Sequence, residues 1–234
     1  YGNDSVTNPP ENKSKVYFYF DGFDTNTLSN YNTTYSFDSV GSANEDPDTN
    51  LSHDTTDKVI NYTGTDGKGK SLRQLSPPIR DAVIEVQVFN DALAVGSIFS
   101  RMELGARVNS DNYYFFFAST NVIASESGRY NDGSQTLQVT NDTQFTTQGV
   151  WYKLRLIVYD NQSAVNFFAY VDGKKTINFT DSSVDKITSA GGFGAGTFQL
   201  IGRFDNLSVR RFSLVDPITS NKVEEEWIER LNGT

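Results

Sequence analysis

The residues with the most definite chemistry are asparagines two places before a serine or threonine, the acceptors of N-linked glycans. Ten such sequons begin at Asn3, Asn12, Asn32, Asn50, Asn61, Asn141, Asn161, Asn178, Asn206 and Asn232, none with proline in the middle. With asparagine this frequent and about a fifth of residues Ser or Thr, chance would give roughly four. Glycosylation machinery works outside the cytosol, so the excess predicts an exported, extracellular glycoprotein. The chain has no cysteine. Disulfides cannot brace it, and zinc–thiolate or cysteine-nucleophile chemistry is closed to it.

The ionisable residues suggest binding rather than turnover. The single histidine, His53, sits in an acidic stretch without a nucleophile to serve, and reads as solvated. Residues 1–57 hold ten acids against Lys13 and Lys15. Such a cluster either binds calcium or is simply well hydrated. The net charge of −9 argues against a nucleic-acid partner. No run of apolar residues is long enough to span a membrane. The start at Tyr1, with neither an initiator Met nor a signal-peptide pattern, reads as a mature or excised segment.

The elements that must position these residues are strands. Phe, Tyr, Val and Thr suit pleated, half-buried surfaces. Val16–Phe20 is a short apolar strand, and Tyr35–Phe37 a weak one inside long polar loops. Lys58–Tyr62 and Ser71–Leu75 are further candidates, with Pro77 and Pro78 turning the chain. Ala82–Phe89 alternates, with Ile84, Val86 and Val88 on one face and Glu85, Gln87 and Phe89 on the other. Glu103–Val108 and Tyr113–Ser119 form a hairpin across Asn109–Asn112. Trp151–Tyr159 points Tyr152, Leu154, Leu156 and Val158 inward, with Trp151 sealing the sandwich edge. Val165–Val171 and Lys174–Thr180 flank Asp172-Gly173, a strong hairpin signal. Phe198–Ile201 and Phe204–Phe212 close the set. Asn178 and Asn206 fall on polar faces, and Asn141 and Asn161 in turns. About a dozen strands with frequent turns predict an all-β sandwich or barrel. Residues 1–15 read as a flexible leader, 16–213 as one β-domain, and 214–234 as a helical tail or linker. In that tail Val223, Trp227, Ile228 and Leu231 make an apolar stripe behind a Thr219 or Ser220 cap.

The order of motifs resembles the concanavalin A-like, laminin-G-like jelly-roll superfamily of microbial cell-surface proteins. The residues that carry the resemblance are Phe20-Asp21-Gly22-Phe23, Ala106-Arg107-Val108, Trp151-Tyr152-Lys153-Leu154, Val171-Asp172-Gly173 and Phe204-Asp205-Asn206-Leu207. Abundant sequons without cysteine suit the archaeal members. The resemblance implies an antiparallel jelly-roll β-sandwich whose last strand lies beside its first. It implies a structural calcium, with Asp205 as the ligand and Asp21 as a second, completed by backbone oxygens. Glycosidases of this fold carry clustered carboxylates on one strand. Here Glu85 and Glu103 each stand alone, so the resemblance implies a non-enzymatic protein. Sugar binding is the common use of such a fold, through aromatics and amides. Tyr113–Phe117 reads as core on both faces of its strand. Tyr130, Asn131 and Asp132, read as a loop, are the ligand-contacting candidates. The expected function is glycan or surface-protein recognition and adhesion. The alternative is a structural subunit that self-assembles into a homopolymer, as a filament, tube or surface layer. The stretch from Ser71 to Gln138 starts no sequon, so a partner would find it free of glycans.

Overall fold

A computed structural model describes residues 19–33, 51–62, 69–93, 100–109, 112–121, 124–161 and 163–212. Alternating apolar residues make these segments pair as strands: β1 (Tyr19–Asp21), β2 (Leu51–Asp54), β3 (Val59–Tyr62), β4 (Gly69–Ile79), β5 (Ala82–Leu93), β6 (Arg101–Asn109) and β7 (Asn112–Ser119). There follow β8 (Ser125–Asn131), β9 (Ser134–Asn141), β10 (Val150–Asn161), β11 (Ala164–Val171), β12 (Lys174–Asp181), β13 (Gly191–Phe198) and β14 (Leu200–Arg211). One turn of 3-10 helix, Leu28–Asn30, is the only helical element among the described residues. None of the described helices is long and apolar enough to cross a membrane. The leader at 1–15, the strand at Tyr35–Phe37 and the tail helix at 214–234 lie outside the described residues.

The strands form two antiparallel sheets packed as a jelly-roll sandwich. Sheet A runs β12-β11-β10-β5-β14-β3-β2, and β1 also pairs with β14. Sheet B runs β4-β13-β6-β7-β8-β9. The last strand does lie beside the first, with Asp21 opposite Leu207. Inward side chains of both sheets fill one core, among them Ile84, Val86, Val88, Leu104, Phe116, Leu154, Leu156, Phe167, Phe193 and Phe204. Burying side chains of this size contributes about 1.5–3 kcal/mol each before conformational entropy is counted.

Several expectations need correction. Pro77 and Pro78 do not turn the chain: β4 continues to Ile79, and the reversal comes at Arg80–Asp81. Proline is tolerated there because β4 is an edge strand. Trp151 does not seal the core but lies on the outer face of sheet A, 39% exposed. Tyr130 and Asn131 are in strand β8, so only Asp132 and Gly133 form the turn to β9. His53 is in β2 rather than a solvated loop, and its Nε2 lies 2.8 Å from the Phe23 carbonyl.

The two sheets are tied by buried polar networks. On one side Arg129 of β8 pairs with Asp181 of β12 at 2.5 Å, and Tyr114 donates to the same carboxylate at 2.8 Å. Elsewhere Arg107 of β6 reaches Asp160 of β10 at 2.8 Å and donates from Nε to the Arg80 carbonyl at 2.9 Å. Buried charges persist only where paired in this way.

Candidate functional site

The register of sheet A builds a row across its outer face. Trp151 stands opposite Phe89, Phe89 opposite Arg203, and Arg203 opposite Asn61. Their sequence neighbours Tyr152, Val88 and Phe204 point into the core, so alternation turns these residues outward. Trp151 and Phe89 pack with ring centroids 5.3 Å apart. The Arg203 guanidinium lies 4.1 Å above the Phe89 ring, a cation–π contact that fixes both. Trp151 is the only aromatic in the exposed class among the described residues.

The next row is polar: Lys153, Gln87 and Asp205. Beyond it Arg155, Glu85 and Ser208 line up. Glu85 is held by Arg155 and, at 3.1 Å, by Lys153. Burial raises its carboxyl, but the Arg155 and Lys153 cations outweigh that and hold it below the usual range. An acid clamped as the anion is a poor proton donor.

Asp205 sits where β14 bulges. The register slips between Asp205 and Ser208, and Asn206 adopts a φ of 52°. Burial above all pushes the Asp205 carboxyl up to about 6; a backbone hydrogen bond from Asn206 opposes it, and the charges of Asp24 and Asp21 add smaller rises. The Asn206 side-chain amide donates to Asp205 at 2.8 Å. Asp21 has its own partners: Phe23 N–H donates to it at 2.8 Å, and so does the Tyr31 hydroxyl at 2.8 Å. Tyr31 in turn accepts from Tyr19 at 2.7 Å. Asp24 pairs with Lys58 at 3.3 Å. The residues thus bring Asp205 and Asp21 into one electrostatic neighbourhood and add Asp24 to it. A half-buried carboxylate raised by other acids suits a hard, oxygen-seeking cation. Among the described residues, however, no three His, Cys, Asp or Glu side chains group as a metal site, so a cation there would draw on backbone oxygens.

The outer face of sheet B is different. Val108, Tyr113, Phe115, Phe117 and Tyr130 form a second buried apolar cluster. Tyr113 and Tyr130 stack at 4.9 Å. Arg101 lies 4.1 Å over the Phe117 ring and bonds Glu103 at 3.1 Å. The aromatic run is therefore core-like on both faces, Tyr114 and Phe116 pointing into the main core. Glu103 and Glu126 share a row here with Phe117 between them, while Glu85 lies on the outer face of the other sheet. Glu103 and Glu85 cannot meet across the sandwich. The three candidate sugar contacts do not form an open site. Tyr130 is buried, the Asn131 amide donates to the Asp185 carbonyl at 3.1 Å, and Asp132, with φ 48°, occupies the hairpin turn. Sequence reasoning missed Trp151, expected only to seal the sandwich edge, together with its partners Phe89 and Arg203. The outward phase of Ala82–Phe89 marks Phe89, Arg203 falls between the expected strands Phe198–Ile201 and Phe204–Phe212, and only cross-strand register aligns them.

Six sequons lie among the described residues. Asn32, Asn161 and Asn178 are exposed, while Asn61, Asn141 and Asn206 are half-buried. Asn61, Asn161, Asn178 and Asn206 belong to sheet A, and Asn141 is the last residue of β9. Asn3, Asn12, Asn50 and Asn232 lie outside the described residues. The sequon-free stretch from Ser71 to Gln138 supplies β4 through β8 and most of β9. That is five of the six strands of sheet B, in addition to β5.

No family model matches the chain, and no curated protein matches it. Solved structures do. A carbohydrate-binding module, CBM66 from Bacillus subtilis, aligns with TM-score 0.52 and 16% identity over 64% of this chain and 86% of that one. A prokaryotic β-1,3-1,4-glucanase (lichenase) derived from a mouse hindgut metagenome aligns with TM-score 0.57 and 10% identity over 83% and 99%. A protein of unknown function with a galectin-like fold from Bacillus subtilis aligns with TM-score 0.55 and 8% identity over 84% and 96%. At these identities the likeness is one of fold, and the fold is concanavalin A-like.

Proposed function

We propose that this chain is an extracellular, N-glycosylated recognition domain that binds carbohydrate without transforming it. The observation that carries the reading is the row Trp151–Phe89–Arg203. An exposed indole held in place by a second ring offers a flat apolar surface to a pyranose face. Lys153 and Gln87 in the adjoining row supply donors and an acceptor for hydroxyls. The fold agrees, since one solved structure that shares it is named as a carbohydrate-binding module. Another is a glucanase, so the fold alone does not separate binder from enzyme. Against turnover stand the ion-paired Glu85 and the Arg101-bound Glu103.

The test is polysaccharide and glycan-array binding by the full chain, followed by titration calorimetry on any hit. Trp151→Ala should weaken binding about tenfold or more, the scale of a lost stacking contact in a small site, with little change in Tm. Binding that survives Trp151→Ala but falls with Tyr130→Ala would move the site to sheet B. Absence of any glycan ligand, or release of reducing sugar, would sink the reading.

For the acid neighbourhood we propose a structural calcium on Asp205, with backbone oxygens completing its shell and Asp21 serving as a charged neighbour. EDTA should lower Tm, and Asp205→Ala should abolish that response. An EDTA-insensitive Tm counts against it.

A further inference from the structure

We propose that the C-terminal segment, residues 213–234, docks as an amphipathic helix on an apolar patch of the outer face of sheet A. The patch lies at the opposite end of the strands from Trp151. Val83 of β5 stands opposite Ile157 of β10, and Ile157 opposite Phe168 of β11. Their neighbours Ile84, Leu156, Val158, Phe167 and Ala169 fill the main core, so these three point outward. With Tyr170, Tyr159 and Phe212 they form a separate apolar cluster. Tyr159 stacks on Phe212 at 4.3 Å and on Phe168 at 6.2 Å.

The outer face of a two-sheet sandwich is ordinarily polar and wet. Here Val83, Ile157 and Tyr170 are 1%, 2% and 2% exposed. Sheet B packs on the inner face of sheet A, and among the described residues no strand or helix lies over the outer one. An apolar face of this kind needs a further layer to bury it.

Place, size and charge select the tail as that layer. The last described residue, Phe212, belongs to the patch and is anchored there, its N–H donating to the Asp81 carbonyl at 3.0 Å. Residue 213 therefore leaves from the patch itself, and the seven residues 213–219 can reach ~23 Å when extended, enough to turn back over the face. The expected stripe of Val223, Trp227, Ile228 and Leu231 covers ~12 Å of helix. From Arg210 through Val83 and Ile157 to Phe168 the face crosses four strands, ~14 Å. The tail holds five acids, Asp216, Glu224, Glu225, Glu226 and Glu229, against Lys222 and Arg230. Basic side chains rim the patch. Arg210 lies opposite Val83, and both Arg155 and Lys175 lie opposite Tyr170. Lys175 Nζ is also 5.9 Å from the centre of the Phe168 ring, while Arg155 is shared with Glu85. Residues 1–15 fit less well, with only Tyr1 and Val6 as large apolar side chains. The patch lies six residues along β10 from Trp151, roughly 20 Å, so the inference is independent of carbohydrate binding.

The test uses the full chain. Trp151 and Trp227 are its two tryptophans, so in a Trp151→Phe background fluorescence reports Trp227 alone. Blue-shifted emission, protected from acrylamide and unchanged on dilution, is expected. Phe168→Asp on the sheet and Ile228→Asp on the tail should each red-shift it and raise the quenching constant severalfold. Lys175→Glu, at an exposed position of edge strand β12, leaves the core untouched and should shift it part of the way at low salt. Emission like that of an indole in water would overturn the proposal, as would indifference to both Phe168→Asp and Lys175→Glu. Protection that fades on dilution would overturn it too, by giving the patch to the tail of a second copy.

Discussion

Asp205 is where a single side chain has the clearest measurable consequence. Its folded carboxyl lies at about 6, above the ordinary value of roughly 3.9. Without a cation the folded state therefore holds that proton more tightly than the unfolded chain. Stability from this group is full below about pH 4 and is lost as pH rises toward about 6. Allowing for solvent screening of a partly exposed group, the loss at neutral pH is on the order of 1–2 kcal/mol. In EDTA, Asp205→Asn should thus be more stable than the parent at pH 7 and equal to it near the acid end. Parallel Tm–pH curves for the two proteins would contradict this. Glu85 behaves oppositely: its cation-held carboxyl, below the ordinary range, contributes stability that disappears only as pH falls.

At the scale of elements, the glycine-rich strand β13 (Gly191–Phe198) explains itself by close approach. A Cβ on Gly192 would lie 2.3 Å from the Gln74 carbonyl oxygen, and one on Gly191 2.5 Å from the Arg107 backbone. Neither neighbour is a flexible side-chain tip, so Gly192→Ala must push β13 off β4. A loss of about 2–4 kcal/mol is expected in urea unfolding, in the range of overpacking and strain. Gly133, with φ +72° and open space around it, should tolerate alanine at about 1–2 kcal/mol, the backbone cost alone. Equal losses at the two positions would show that crowding is not what β13 requires. The hairpin turn Asp172-Gly173 has φ 49° and 78°, the primed geometry that such a dipeptide predicts.

In the whole molecule, the sandwich is held by its core and by the polar ties between sheets. Arg129 and Asp181 are both buried, and Ser183 and Tyr114 complete the carboxylate's bonds. Burial raises the Asp181 carboxyl, but its hydrogen bonds and Arg129 bring it below the usual range. Burial, then Asp181, raises the Tyr114 hydroxyl, which stays a donor. Asp181→Asn strands a buried guanidinium and should cost about 3 kcal/mol or more, roughly 6–12 °C in Tm for a domain of this size. Replacing the pair together with apolar residues should recover much of that. If Asp181→Asn melts with the parent, the tie is not holding the sheets.

Local chemistry in the chain was enough to determine the strand class, the inward phases of β5, β10 and β12, the hairpins and the distribution of sequons. Each depends on period-two alternation or on turn residues a few positions apart. Strands β2, β8, β9 and β13 escaped that reading. Gly191–Phe198 looks like a breaker until two neighbouring backbones occupy the space, and Ser134–Asn141 has only Leu137 and Val139 as apolar residues to mark its alternation. The candidate site was less legible still. Asp205 and Asp21 could be placed together because the last strand pairs with the first. The burial of Tyr130, the commitment of Asn131 to Asp185 and the row Trp151–Phe89–Arg203 depend on register between strands distant in sequence. Only tertiary structure decides such pairings, since nothing local in a strand specifies which neighbour it will face.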